Sequence, residues 1–216
     1  MNRSTLLLSA ALLAALVTQS DAHFLWIFTD QTHRRASFSI AEQPGADPIP
    51  IKIAPGKEGI KLDSVGFGKI APGANGTGLE ADLLKPSGAV RLPFGVFQDS
   101  LVTWWAKTAI DFKAAQSTLG QRYELTASLA HGRVTVRVIG EGRPVAGCTV
   151  EVYGDGIPTG TTAKTDRNGQ AEVAKAKIGT ESFGVEIAVK NPGTYRGGTY
   201  RQRLEMVSLT VRVDQP

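Results

Sequence analysis

Residues 123–138 read YELTASLAHGRVTVRV, and the alternation of apolar and polar side chains in this stretch indicates the fold. Apolar residues recur at every second position on both sides of a turn at His131, as in half-buried strands. Successive side chains of a strand point to opposite faces, so one face of each strand is predicted to lie in a core. The predicted inward residues here are Tyr123, Leu125, Ala127, Leu129, Val134, Val136 and Val138.

The same alternation continues to the end of the chain, broken by segments of turn composition such as Asp166-Arg167-Asn168-Gly169. Six or seven short strands without a helical period predict an antiparallel β-sandwich, immunoglobulin-like or transthyretin-like, over residues 123–216. The chain has one cysteine, Cys148, which cannot form an intramolecular disulfide and is expected to be a buried small hydrophobe. The further alternating sets are Cys148, Val150 and Val152; Ala171 and Val173; Val185, Ile187 and Val189; and Val207, Leu209, Val211 and Val213.

The preceding part, residues 23–122, is less regular and predicts a second β domain packed on the first. His23–Thr29 and Arg35–Ala41 form a predicted hairpin, and the glycine-rich segment Gly66–Gly78 predicts a loop. Leu101–Ile110 is compatible with either a strand or a short helix. Further strand positions are Ile49, Ile51 and Ile53, and then Leu79, Ala81 and Leu83.

Composition and charge exclude several classes of protein. The 216 residues are 42% hydrophobic and 20% charged, which is typical of a folded globular chain rather than a disordered or collagenous one. The formal net charge of +4 is spread along the chain without a basic block. A nucleic-acid partner is therefore not expected.

The first 22 residues have the organisation of a secretory signal peptide. Arg3 precedes the apolar run Leu6–Val17, which is followed by a polar segment ending in Ala22. Twelve residues of helix span about 18 Å, short of the ~30 Å hydrocarbon core, so cleavage is favoured over a membrane anchor. The predicted mature protein begins at His23, lies in the periplasm or outside the cell, and does not span a membrane.

Several motifs together resemble a known family. They are HFLWI at 23–27, WWAK at 104–107, VTVRVIGEGRPVAGCTVEVY at 134–153, KTDRNGQAEV at 164–173 and PGTYRGGTY at 192–200. The chain resembles the periplasmic, NikM-like family called domain of unknown function 4198. Its second half is similar to transthyretin-like and carboxypeptidase-regulatory-like sandwiches. The resemblance implies an exported two-part β protein, and the family name implies an association with nickel uptake.

His23 is the candidate metal ligand. A histidine at the start of a chain offers its α-amino nitrogen and Nδ1 in one chelate ring, a pair that suits Cu(II) or Ni(II). The amine must lose its proton to bind, so such a site weakens as pH falls. The competing interpretation is an ordinary exposed strand end whose terminus frays. His33, about 20 Å along the strand at 3.3 Å per residue, and His131, in a turn, are poor co-ligands.

No sequence motif for hydrolysis, phosphate transfer or dinucleotide binding occurs, so we do not expect an enzyme. A terminal-histidine copper oxidase is a remote alternative, because it needs a second well-placed histidine. Two functional hypotheses remain. One is an exported accessory protein that binds nickel or copper through His23, with an envelope protein or transporter as a partner. The other is a metal-free envelope module that binds a protein or glycan, with the Tyr/Arg-rich segment Tyr195–Arg203 as its candidate surface. Trp26, Trp104 and Trp105 are aromatic enough for a carbohydrate platform, but Trp26 alternates with Phe24 and Phe28, which favours core packing for Trp26.

Overall fold

The protein is all-β, as predicted. The computed structural model describes residues 23–30, 32–47, 62–73 and 78–213. The predicted signal peptide and the predicted strand around Ile49, Ile51 and Ile53 lie outside the described residues. The elements are β1 (Phe24–Thr29), β2 (Arg35–Ala41), β3 (Asp63–Val65), β4 (Ala71–Pro72), β5 (Leu79–Asp82), β6 (Ser87–Phe97), β7 (Ser100–Ala109), α1 (Phe112–Ala115), β8 (Tyr123–Ala130), β9 (Arg133–Gly140), β10 (Arg143–Pro144), β11 (Thr149–Tyr153), β12 (Thr162–Lys164), β13 (Gln170–Ala174), β14 (Gly179–Val189), β15 (Gly193–Tyr195), β16 (Gly198–Tyr200) and β17 (Gln202–Val213).

One outer layer of the molecule is built around β9. This strand pairs antiparallel with β8 on one edge and with β13 and β10 on the other. The turn before β13 is the predicted one: Asp166 Oδ1 accepts the N–H groups of Asn168 at 2.8 Å and Gln170 at 2.9 Å. Gly169 has a φ of 71°, a conformation that favours glycine. The predicted turn is therefore confirmed, and it connects β12, which pairs with β11, to β13, which pairs with β9, rather than closing a hairpin.

The central layer is a seven-stranded sheet with the strand order β12-β11-β14-β17-β7-β6-β3. Its neighbours are antiparallel except for β17 and β7, which run parallel with Gln202–Val211 alongside Ser100–Ala109. The sheet is continuous across residue 122, because β7 from the first half of the chain lies directly beside β17 from the second. The division into units at residue 122 stays a prediction.

A first core fills the space between these two layers, and the alternating residues found in the sequence face it. Leu129 and Val189 are only partly buried. Cys148 packs against this core, as its place in the alternation predicts, but it is only partly buried, so the prediction of a buried cysteine is wrong. It precedes β11, where its N–H donates to Thr165 Oγ1 and its carbonyl accepts from the Thr165 N–H. The buried members predicted from the sequence are Tyr123, Leu125, Ala127, Val134, Val136, Val138, Val150, Val152, Ala171, Val173, Val185, Ile187, Val207, Leu209, Val211 and Val213.

A second core lies on the opposite face of the central sheet, under a four-stranded sheet of order β1-β2-β5-β4. The layers approach closely at Gly184, where an added Cβ would lie 2.9 Å from the Phe24 ring. The members of this core include Phe24, Trp26, Phe38, Leu79, Val90, Leu92, Val102, Trp104, Ala106 and Met206.

The ambiguous segment Leu101–Ile110 is a strand for nearly all of its length. It forms most of β7, which is covered on both faces, and this explains its unbroken apolar character. Trp104 belongs to the second core and Trp105 to the first, as expected for neighbours on a strand. Both indole rings are buried, so the two tryptophans do not form an exposed carbohydrate platform.

Candidate functional site at the start of β1

The β1–β2 hairpin places His23 opposite Glu42. Phe24 pairs with Ala41 in the antiparallel register, so the residues immediately beyond this pair are His23 and Glu42. Their side chains approach to 3.7 Å between His23 Nε2 and Glu42 Oε1. The imidazole is one third exposed and the carboxylate about half exposed. The site is therefore open to solvent while its two side chains are held on neighbouring strands.

The backbone of His23 is fixed from the central sheet. The Trp104 indole Nε1–H donates to the His23 carbonyl oxygen at 2.7 Å. Trp104 is itself buried, and the next residue after His23, Phe24, is fully buried against the second core. The start of β1 is therefore tied to the central sheet by the His23 carbonyl and by the Phe24 side chain.

Two acidic residues and a tyrosine lie near this end of the hairpin. The Tyr153 hydroxyl is hydrogen bonded to Glu151, and the Tyr153 ring packs edge-on against Trp26 at 5.7 Å between centroids. Burial raises the pKa of Tyr153 well above its usual range, and the carboxylates of Glu151 and Glu42 raise it further. Glu42 therefore lies within electrostatic range of both His23 and Tyr153.

The other two histidines do not join His23. His33 lies in the turn at the opposite end of the β1–β2 hairpin, and His131 lies in the β8–β9 turn, both with positive φ. Across the described residues, no three His, Cys, Asp or Glu side chains are grouped closely enough to hold a metal ion by themselves. A metal at His23 would therefore need the α-amine and solvent or a partner to complete its coordination.

The Tyr195–Arg203 segment is divided between surface and core. Most of it forms the small β15–β16 hairpin, where Arg196 stacks on Tyr195 at 5.5 Å. Arg203 is buried and does not belong to the surface: it donates to Glu205 Oε1 at 2.7 Å and to the Tyr123 hydroxyl at 2.8 Å. The sequence did not reveal this, because the Tyr123 hydroxyl that Arg203 contacts comes from the distant strand β8, although Glu205 lies two residues away on β17 itself.

An exposed apolar edge lies beside that hairpin and was not found from the sequence. Phe94, Val96 and Phe97 at the end of β6 are exposed, and Val96 lies close to Gly198 of β16. Phe94 packs edge-on against Trp104, the same residue that holds His23. The pairing of β6 with β7 has a register shift between Pro93 and Gly95. The two-residue alternation of a strand does not predict such an irregularity, so the sequence did not indicate which residues beyond it are exposed.

Comparisons with known proteins found no family model, no curated protein and no solved structure that matches the chain. The resemblance to domain of unknown function 4198 stays a prediction. In the described part of the chain, no helix has the length and apolar content needed to cross a membrane.

Proposed function

We propose that the protein is an exported accessory protein that binds Cu(II) or Ni(II) through His23 as the first residue of its mature chain. The observation that supports this most is the anchoring of His23 by Trp104, beside the carboxylate of Glu42. A held backbone reduces the conformational entropy lost when the amine and Nδ1 close a chelate ring. Nickel and copper both favour such nitrogen ligands.

Glu42 has a defined role in this proposal. It faces Nε2, whereas the chelate uses Nδ1. The 3.7 Å separation is longer than a hydrogen bond, and a small rotation of the Glu42 side chain would let it accept the Nε2–H of a neutral imidazole. That contact would keep the Nδ1 lone pair free and orient the ring toward the metal. Glu42 is then a positioning residue rather than a ligand.

The decisive experiment is calorimetric titration of Cu(II) and Ni(II) into a chain that starts at His23. One equivalent binds near pH 7.5, and binding weakens on acidification as protons compete with the metal for the α-amine, whose ordinary pKa is about 7.7–8.0. His23→Ala and a chain with one extra residue before His23 both lose at least about tenfold in affinity. His33→Ala, at the other end of the hairpin, is the matched control and binds normally.

Glu42→Gln tests the positioning role separately. We expect a loss of about 10–100-fold in metal affinity, as for other outer partners of metal-bound histidines. In metal-free Glu42→Gln, the ¹⁵N chemical shifts of the neutral His23 ring should show a smaller share of the Nε2–H tautomer than in the metal-free wild type. Equal binding by the chain with the extra residue would refute the chelate, whereas unchanged tautomer shifts in Glu42→Gln would refute only the role of Glu42.

The second candidate function is a metal-free envelope module that binds a partner protein. It is favoured by the exposed apolar edge of Phe94, Val96 and Phe97 beside the β15–β16 hairpin, since clustered exposed aromatics are typical of interaction surfaces. Phe97→Ser is the test, because Phe97 is more than half exposed and its loss should leave the fold intact. Loss of partner capture with unchanged metal titration would favour this function over the first.

A further inference from the structure

The outer layer around β9 contains an open cavity of about 260 Å³, on the side of the molecule away from the β1–β2 hairpin. The segment 118–121 forms one wall, and β8, β9 and β10 form the rest. Its volume is below the roughly 300–1,000 Å³ of sites for drug-sized molecules, so a ligand here must be small.

The acidic residue of this cavity is already neutralised. Glu124 is 1% exposed, and its Oε1 accepts from Lys107 Nζ at 2.9 Å and from the Leu119 N–H at 2.8 Å. Lys107 is equally buried. The pair cancels in charge, so it does not repel an anion from the cavity.

Two other lining residues leave a positive charge uncompensated. Arg137 and Arg143 are exposed, and among the described residues neither forms an ion pair. Arg133, on the same face of β9 as Arg137, is paired with Glu172, and Arg122 is paired with Glu141. Guanidinium groups without a carboxylate partner are suited to bind the carboxylate of a ligand.

A residue that lines the cavity also has an acceptor without a partner. Gln121 lines the cavity, and its Oε1 is buried without a hydrogen-bond donor. A buried acceptor without a partner is costly, and a donor from a ligand or from water would remove that cost. Ile139 and Pro144 add apolar surface between these polar groups.

We propose that this cavity binds a small organic carboxylate that also has a hydroxyl or amide N–H. The carboxylate pairs with Arg137 and Arg143 at the rim, and the apolar body lies on Ile139 and Pro144. The donor group bonds to Gln121 Oε1. The site is independent of His23 and needs no metal.

The test is an NMR chemical-shift titration of the purified protein with 4-hydroxybenzoate, in metal-free buffer at constant ionic strength. We expect saturable shifts at the amides of Gln121, Ile139 and Arg143, with a Kd on the order of millimolar. Benzoate, which lacks the donor, and 4-hydroxybenzyl alcohol, which lacks the charge, should each bind more weakly.

Three variants and one control complete the experiment. Arg137→Gln and Arg143→Gln should each weaken binding by about tenfold, as charge-assisted hydrogen bonds are lost. Arg133→Gln, on the same strand and face, should bind as the wild type does. Gln121→Leu should abolish the preference for 4-hydroxybenzoate over benzoate. Absence of saturable shifts at the cavity, equal affinity in Arg137→Gln and the wild type, or a preference that survives Gln121→Leu would overturn the proposal.

Discussion

The indole N–H of Trp104 donates to the carbonyl oxygen of His23 at 2.7 Å, across 81 residues of sequence. The contact joins the central sheet to the beginning of the first strand. It holds the backbone of His23, the residue predicted to carry both an imidazole and a free α-amine, against the central sheet. The geometry of the proposed metal site therefore depends on a residue that binds no metal.

Trp104→Phe should loosen the start of β1 and weaken metal binding. Phenylalanine keeps an aromatic ring but is smaller than the indole, and the His23 carbonyl loses its donor. The lost hydrogen bond destabilises the fold by about 1–3 kcal/mol, and the lost buried ring atoms add to this. Chemical denaturation measures the stability, and titration calorimetry measures the affinity.

Trp105→Phe is the matched control for that variant. Its indole donates to Glu205 Oε2 at 2.6 Å in the first core, so the variant should be destabilised with metal affinity unchanged. Equal loss of metal affinity in both variants would show that the effect is global and not transmitted through His23.

Glu181 should make stability depend on pH. Burial raises its pKa to about 7 from the ordinary 4.5. In the folded state Glu181 therefore keeps its proton up to a higher pH than it does in the unfolded chain. The free energy of unfolding falls as the pH rises from about 4.5 to 7. The difference of roughly 2.5 pKa units corresponds to about 3 kcal/mol.

Glu181→Gln should remove that pH dependence. Its free energy of unfolding should stay nearly flat between pH 4.5 and 7, while that of the wild type declines. Denaturation series at several pH values measure the slope, which does not depend on the baseline stability of the variant. Parallel slopes in the two proteins would contradict the assignment.

Lys107→Met should be strongly destabilising. Besides pairing with Glu124, the Lys107 ammonium donates to the carbonyl oxygens of Ser117, at 2.5 Å, and Leu125, at 3.3 Å. Removing the ammonium leaves the buried Glu124 carboxylate without its counter-ion. Breaking a buried pair from one side costs about 3–5 kcal/mol. In Lys107→Met/Glu124→Gln the unpaired charge is gone, so denaturation should find the double variant more stable than the single one.

Gly184→Ala should separate two layers of the fold. The new methyl group would lie 2.9 Å from the Phe24 ring, and overpacking of this kind costs about 1–3 kcal/mol. Combining it with Phe24→Leu should give a loss smaller than the sum of the two single losses, as measured by thermal denaturation. Strict additivity would mean that the two positions are not in contact.

The candidate site was only partly predictable from the sequence. His23 was identified from the chemistry of a terminal histidine, which is a property of one residue. Glu42 was not identified. The hairpin register pairs Thr29 with Ala36 and Phe24 with Ala41, so it places His23 next to Glu42, and this register could have been extrapolated from the predicted hairpin. Trp104 and Tyr153 had no such signal, because both reach the site from the central sheet, which lies on the other side of the second core.

The sequence by itself determined the all-β class, the positions of most strands and which face of each strand is buried. These follow from a two-residue period and from turn residues, which act over a few neighbouring positions. Cys148 was misjudged because its place in that period does not reveal that it precedes the strand. Only the tertiary structure decided that β7 lies parallel to β17 and that the central sheet is covered on both faces. Strand order depends on pairings between distant segments, whose free energies come from packing in the whole molecule and leave no local pattern in the chain.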